Sequence, residues 1–81
     1  MRVHVRFFAQ LRDTVGAGEL PVEVNDPSTV KDVWQAVAAA HPALGPFEKS
    51  ISCAVNAAYA RMHTRVNAGD EVDFLPPVSG G

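Results

Sequence analysis

Apolar and polar residues alternate from the first positions of this 81-residue chain. Val3, Val5 and Phe7 interleave with Arg2, His4 and Arg6, the period of two expected from a strand with one buried and one wet face. Leu20, Val22 and Val24 repeat the pattern against Glu19, Pro21 and Glu23. The connection between them carries Gly16 and Gly18, so the two segments predict an antiparallel hairpin. Pro21 has no amide proton to give to a ladder and suits an edge.

The period then lengthens. Asn25-Asp26-Pro27-Ser28-Thr29 is dense in turn formers, and Thr29 with Asp32 three residues later matches a capping box. Val30, Val33, Trp34 and Val37 follow at helical spacing, one apolar stripe with Lys31, Asp32 and Gln35 turned to water, and Pro42 stops the helix. Ala43 to Glu48 reads as a loop. Ile51, Cys53 and Val55 alternate with Ser52, Ala54 and Asn56 as a further strand, with a turn beginning at Asn56. Met62, Thr64 and Val66 predict a short strand, Asn67-Ala68-Gly69-Asp70 a turn, and Glu71 to Leu75 a last strand ended by Pro76 and Pro77. Strand, strand, helix, strand, short strand, strand predicts an α+β fold, the outline of a β-grasp domain. Its mixed sheet has about five strands, covered on one face by one main helix. The domain is expected over residues 1–76, with 77–81 a flexible tail.

Composition narrows the function. A chain of this length holds one domain and no deep self-contained active site. Seven Lys and Arg and a net charge of −2 argue against a nucleic-acid partner. No apolar run approaches the roughly 20 residues that span a bilayer, so no membrane association is expected. The single Cys53 has no intrachain disulfide partner, which points to the cytoplasm. On the apolar side of its strand it reads as a small hydrophobe, as Trp34 reads as core. His41 beside Pro42 reads as a helix-end residue. The basic rows Arg2, His4, Arg6 and Arg61, His63, Arg65 read as solvated strand faces or as surfaces for an acidic partner.

The chemistry is at the C-terminus, where Leu75-Pro76-Pro77-Val78-Ser79-Gly80-Gly81 is a stiff exit followed by a slender tip. Gly-Gly alone is weak evidence, arising by chance in about one chain in 200. Residues without Cβ can enter a narrow tunnel in another protein, which makes the terminal carboxylate of Gly81 the candidate reactive group. A carboxylate becomes electrophilic once it attacks the α-phosphorus of ATP. No phosphate-binding loop, metal-ligand cluster or nucleophile–base spacing is visible here, so the activating machinery must come from a partner.

Val5-Arg6-Phe7-Phe8-Ala9-Gln10-Leu11-Arg12-Asp13 near the start and Gly69 to Gly81 at the end closely resemble the small subunits of molybdopterin synthase, over the whole chain. That resemblance implies a ubiquitin-like fold, adenylation of Gly81 by an activating enzyme that uses ATP, and conversion to a thiocarboxylate. Sulfur would then pass to precursor Z, the cyclic pyranopterin monophosphate, inside the large subunit, with two carriers per heterotetramer. No cofactor or metal is expected on this chain. By position, Gly81 would hold the sulfur, and Gly80 and Ser79 would occupy the tunnel. Phe74, Leu75, Pro76, Pro77 and Val78 would form the apolar docking surface, with Leu75 where relatives commonly carry an aromatic. Arg12 reads as a partner contact or a structural ion pair. Two other functions fit the same tail: a sulfur carrier for thiamine or cysteine synthesis, and a ubiquitin-like modifier or binding module.

Overall fold

The computed structural model describes residues 1–77. Its strands are β1 (Arg2–Phe7), β2 (Glu19–Glu23), β3 (Ser28–Thr29), β4 (Ser52–Val55), β5 (Ala58–Ala60), β6 (Arg65–Val66) and β7 (Glu71–Leu75); its α-helices are α1 (Ala9–Val15) and α2 (Val30–Ala40). Five strands form a mixed sheet in the order β2-β1-β7-β4-β5, and β3 and β6 form a separate two-stranded ribbon. β7 is central, parallel to β1 and antiparallel to β4. This is the α+β, β-grasp arrangement that the element order predicts.

Register explains which residues are buried. Val5 lies opposite Val72, Phe7 opposite Phe74, and Cys53 opposite Phe74, so alternate positions of β1, β7 and β4 share one face. Helix α2 lays Val30, Val33, Trp34 and Val37 on that face, the stripe predicted from the spacing. Trp34 and Phe74 are fully buried and meet edge to face at 5.0 Å, with Phe7 a further neighbour of Phe74 at 6.3 Å. The first amides of α2 all find acceptors. Thr29 and Asp32 form the capping box, while Val30 and Lys31 donate to the carbonyls of Thr64 and Met62 at 2.9 Å.

β1 and β2 pair antiparallel as expected, with β2 at an edge. The amide of Val24 donates to Met1, so by the two-residue alternation of the ladder position 21 points away from β1, where a proline costs no hydrogen bond. The connection, however, is not a simple turn. It holds α1, which Gly16 closes at φ 85° with its amide on the Arg12 carbonyl at 2.8 Å. Seven residues anchored by one buried side chain, Leu11, are too few to show a helical period.

The second difference is at residues 57–66. The expected strand from Met62 to Val66 is confined to Arg65–Val66, because Met62 and Thr64 spend their carbonyls on the N-terminus of α2. The sheet is completed instead by β5, joined to β4 through Asn56 and Ala57 at φ 50° and 69°. Two positive φ values fit the mirror-image turn that matches strand twist and favours glycine second. Asn56 suits its place, since its side chain bonds Asp70 and the Glu71 amide, both at 3.0 Å. Ala57 does not. Ala57→Gly is expected to stabilise the fold by about 0.5–1 kcal/mol, read as a higher urea midpoint at unchanged slope. The segment expected as a loop from Ala43 to Glu48 is largely a 3-10 helix, Pro42–Phe47, whose Leu44 plugs the core.

Candidate functional site

β7 is held on both sides and leads directly into Pro76 and Pro77. The predicted site residues Val78, Ser79, Gly80 and Gly81 lie outside the described residues. Of the others, Leu75 and Pro76 are half-buried and Pro77 is exposed beside the strand's end. Phe74 must be reassigned: it is fully buried between Trp34 and Phe7, so its ring supports the strand from below and offers no docking surface. An alternating strand turns neighbours to opposite faces, and Leu75 is the one turned outward.

That outward face has no element packed over it among the described residues. Its β2–β1 half is charged and cross-paired. Arg2 meets Glu23 at 2.9 Å, His4 meets Glu19 at 3.0 Å, and Arg6 approaches Glu71 at 3.5 Å while its guanidinium lies 5.1 Å over the Phe8 ring. The row Arg2, His4, Arg6 is therefore matched by neighbouring carboxylates rather than left as a basic stripe. Its β4–β5 half carries Ala54, Tyr59 and the small polar Ser52, with no charged residue among them. Tyr59, at 90% exposure, stands opposite Ala54, and Ala54 lies one row from Leu75. An exposed aromatic on the same face as a strand exit has the character of a partner anchor. Sequence reasoning missed Tyr59 because Ala58-Tyr59-Ala60 shows no apolar alternation; the one signal was a lone aromatic among alanines.

Arg12 is exposed on α1, its Cδ 3.4 Å from where a Cβ on Gly18 would stand. Arg12, Arg6, Phe8, Gly18 and Glu19 line a shallow cleft on the β1–β2 side of the tail exit. Among the described residues no carboxylate lies within 4 Å of Arg12. Cys53 is buried, its thiol donates to the Ala60 carbonyl at 3.2 Å, and burial pushes its pKa up, so it is poorly suited to attack. Among the described residues no three His, Cys, Asp or Glu side chains converge as a metal site, and no helix is long and apolar enough to cross a membrane.

One group on the uncovered face is out of place. Asp73 is buried, and its Oδ1 has no hydrogen-bond partner among the described residues. Burial first, then the charge of Glu71 and a side-chain hydrogen bond with it, push its pKa above the ordinary value of 3.8, with Arg6 opposing. A carboxyl whose folded pKa is raised contributes stability that is present below 3.8 and lost as pH rises through the folded value. Asp73→Asn is therefore expected to gain about 1 kcal/mol at pH 7, a gain that closes as pH approaches 4 in urea titrations.

A family model described as the ThiS family matches residues 5–81. The chain belongs to the ThiS family. A molybdopterin synthase sulfur carrier subunit from Chlamydomonas reinhardtii is 36% identical over 83 residues, covering all of both chains. The crystal structure of small archaeal modifier protein 1 from Haloferax volcanii superposes at a TM-score of 0.88 and 29% identity, covering 95% of this chain and 98% of that one. A chain of the Helicobacter pylori protein–protein complex of subunits 1 and 2 of molybdopterin-converting factor matches at a TM-score of 0.70 and 26% identity, with both chains fully covered. The ThiS family thus joins this fold to sulfur carriers and to modifiers, and one such neighbour is seen bound to a second subunit.

Proposed function

We propose that this ThiS-family protein is the sulfur carrier subunit of molybdopterin synthase, working in the cytoplasm with its C-terminal Gly81 as the carrying group. The observation that carries the reading is the course of β7. The central strand, locked between β1 and β4, leads through Pro76-Pro77 toward Gly80-Gly81, with half-buried Leu75 at its end and exposed Tyr59 two strands away on the same face. A partner that grips this face receives the terminus at a fixed starting point.

In this reading the Gly81 carboxylate attacks the α-phosphorus of ATP on an adenylating activating enzyme, and pyrophosphate leaves. A sulfur nucleophile then displaces AMP and leaves a thiocarboxylate. In the large subunit the thiocarboxylate sulfur attacks a carbon of precursor Z as an oxygen substituent leaves that carbon, and water then cleaves the acyl carbon–sulfur bond, leaving the sulfur on the pterin and returning Gly81 as a carboxylate. The chain itself docks and presents. Tyr59, Leu75 and Pro76 supply apolar contact, Pro76 and Pro77 restrict the directions the tail samples, and Gly80 and Ser79 occupy the tunnel. ATP is consumed on the enzyme, and two carriers serve each heterotetramer.

A second reading, protein modification, is favoured by the likeness to the archaeal modifier. Reconstitution separates the two. The chain, its activating enzyme, ATP, a sulfur donor and the large subunit are expected to convert precursor Z into molybdopterin. No product, together with Gly81 in isopeptide linkage to lysines of added proteins, would support the modifier instead.

A further inference from the structure

Five residues cross the uncovered face in one row: Glu19, Arg6, Asp73, Ala54 and Tyr59, from β2 to β5. Asp73 is at its centre, only 8% exposed, with Oδ1 sealed from solvent and unpartnered among the described residues. A buried acceptor without a donor costs stability, and an apolar β-branched residue would serve a central strand better.

Glu71 meets the carboxyl side chain to side chain, acid against acid, and no neighbour among the described residues gives Oδ1 a donor. Arg6, the nearest cation, directs its guanidinium to Glu71 at 3.5 Å and to the Phe8 ring. His4 is turned to Glu19, Glu71 adds a second negative charge on the same strand, and β4 brings only Ala54 and Ser52. Arg2 and Arg6 pair with Glu23 and Glu71, and His4 hydrogen-bonds Glu19, so each glutamate on this face has an Arg or His partner and Asp73 has none within 4 Å among the described residues. It lies between the charged half and the uncharged half, two residues before the strand ends.

We propose that Asp73 is a specificity-determining contact, held for an arginine or lysine side chain of the partner protein that grips the tail. The inference rests on the docking reading above and deepens it. The Arg6–Glu71 contact is long and only partly buried, so it holds Glu71 weakly, and in the complex Arg6 yields Glu71 to the incoming cation. A guanidinium at this point meets Asp73 and Glu71 together, and its planar fork of donors suits two carboxylates better than an ammonium does. A partner without a cation there would cover an unpaired carboxylate and bind poorly. Asp73 thereby sorts among proteins that all accept a Gly-Gly tail.

The test is calorimetric titration of the full chain against the purified large subunit and the purified activating enzyme of the same organism, comparing wild type with Asp73→Asn, Asp73→Val and Tyr59→Ala. Both Asp73 variants are expected to fold with raised urea midpoints, yet to bind at least one of the two proteins ten- to a hundredfold more weakly. A higher midpoint with weaker binding separates recognition from structural damage. If both Asp73 variants bind both proteins within twofold of wild type while Tyr59→Ala binds more weakly, the proposal is overturned and the docking reading stands. If Tyr59→Ala also changes nothing, or the wild-type chain binds neither protein, both are overturned.

Discussion

Deleting Gly81 is expected to lower molybdopterin formation by at least about a hundredfold while leaving the urea midpoint unchanged. The truncated chain still ends in a glycine carboxylate, so the chemistry of the terminus is not removed; its position is. One residue fewer draws the reacting group back by about 3.3–3.6 Å in an extended tail, and misplacement by 1 Å can already cost on the order of 10²-fold. The strand that anchors the tail, β7, ends at Leu75, and its ladders with β1 and β4 run over Glu71–Leu75. Molybdopterin yield in the reconstituted system and urea unfolding of the same preparation are the two readouts. Near-normal yield from the truncated chain would mean that the reach of the tail does not matter, and the carrier reading would fail.

The largest effect on folding is expected at Trp34. Its indole is fully buried and meets Phe74 at 5.0 Å, the contact by which α2 sits on the central strand. Trp34→Ala removes the largest buried side chain of the core and leaves a cavity, at a cost of about 3–5 kcal/mol. Total stability for a domain of this size is about 4–12 kcal/mol, so the variant is expected to be largely unfolded at 37 °C or to melt well below wild type. Trp34→Phe is expected to cost only about 1 kcal/mol. The indole Nε1 has no partner among the described residues, and a phenyl ring removes that orphan donor along with some volume. Thermal unfolding by circular dichroism checks both, and similar losses for Ala and Phe would contradict this picture of the core.

The parts of the fold that could be read from the residues are those that repeat a period against a single packing surface. Val3-Val5-Phe7, the stripe from Val30 to Val37 and the strand from Glu71 each present the same face for several turns or pleats, so periodicity alone identifies them. α1 lacks that length, with Leu11 its one buried side chain, and β5 is an edge strand of two alanines and a tyrosine. The Met62–Thr64 segment carries strand-like residues but caps a helix that starts 31 to 34 positions earlier in sequence, a contact visible only once the chain is folded. The site divides along the same line. Gly80-Gly81 and the two prolines are local signals, and the proposed chemistry is read from them. Which side of β7 faces a partner depends on register, and register buries Phe74 and turns Leu75 outward. Tyr59 and Asp73 join the site only through cross-strand neighbours, Ala54 between them. Composition gave no reason to single out either.

The most direct measurement is the intact mass of the protein purified from its own cells while they are making molybdopterin. The account predicts a population in which one oxygen of the Gly81 carboxylate is replaced by sulfur, located by fragmentation to the last residue. A terminus found only as the carboxylate, or found joined to lysines of other proteins, would contradict it.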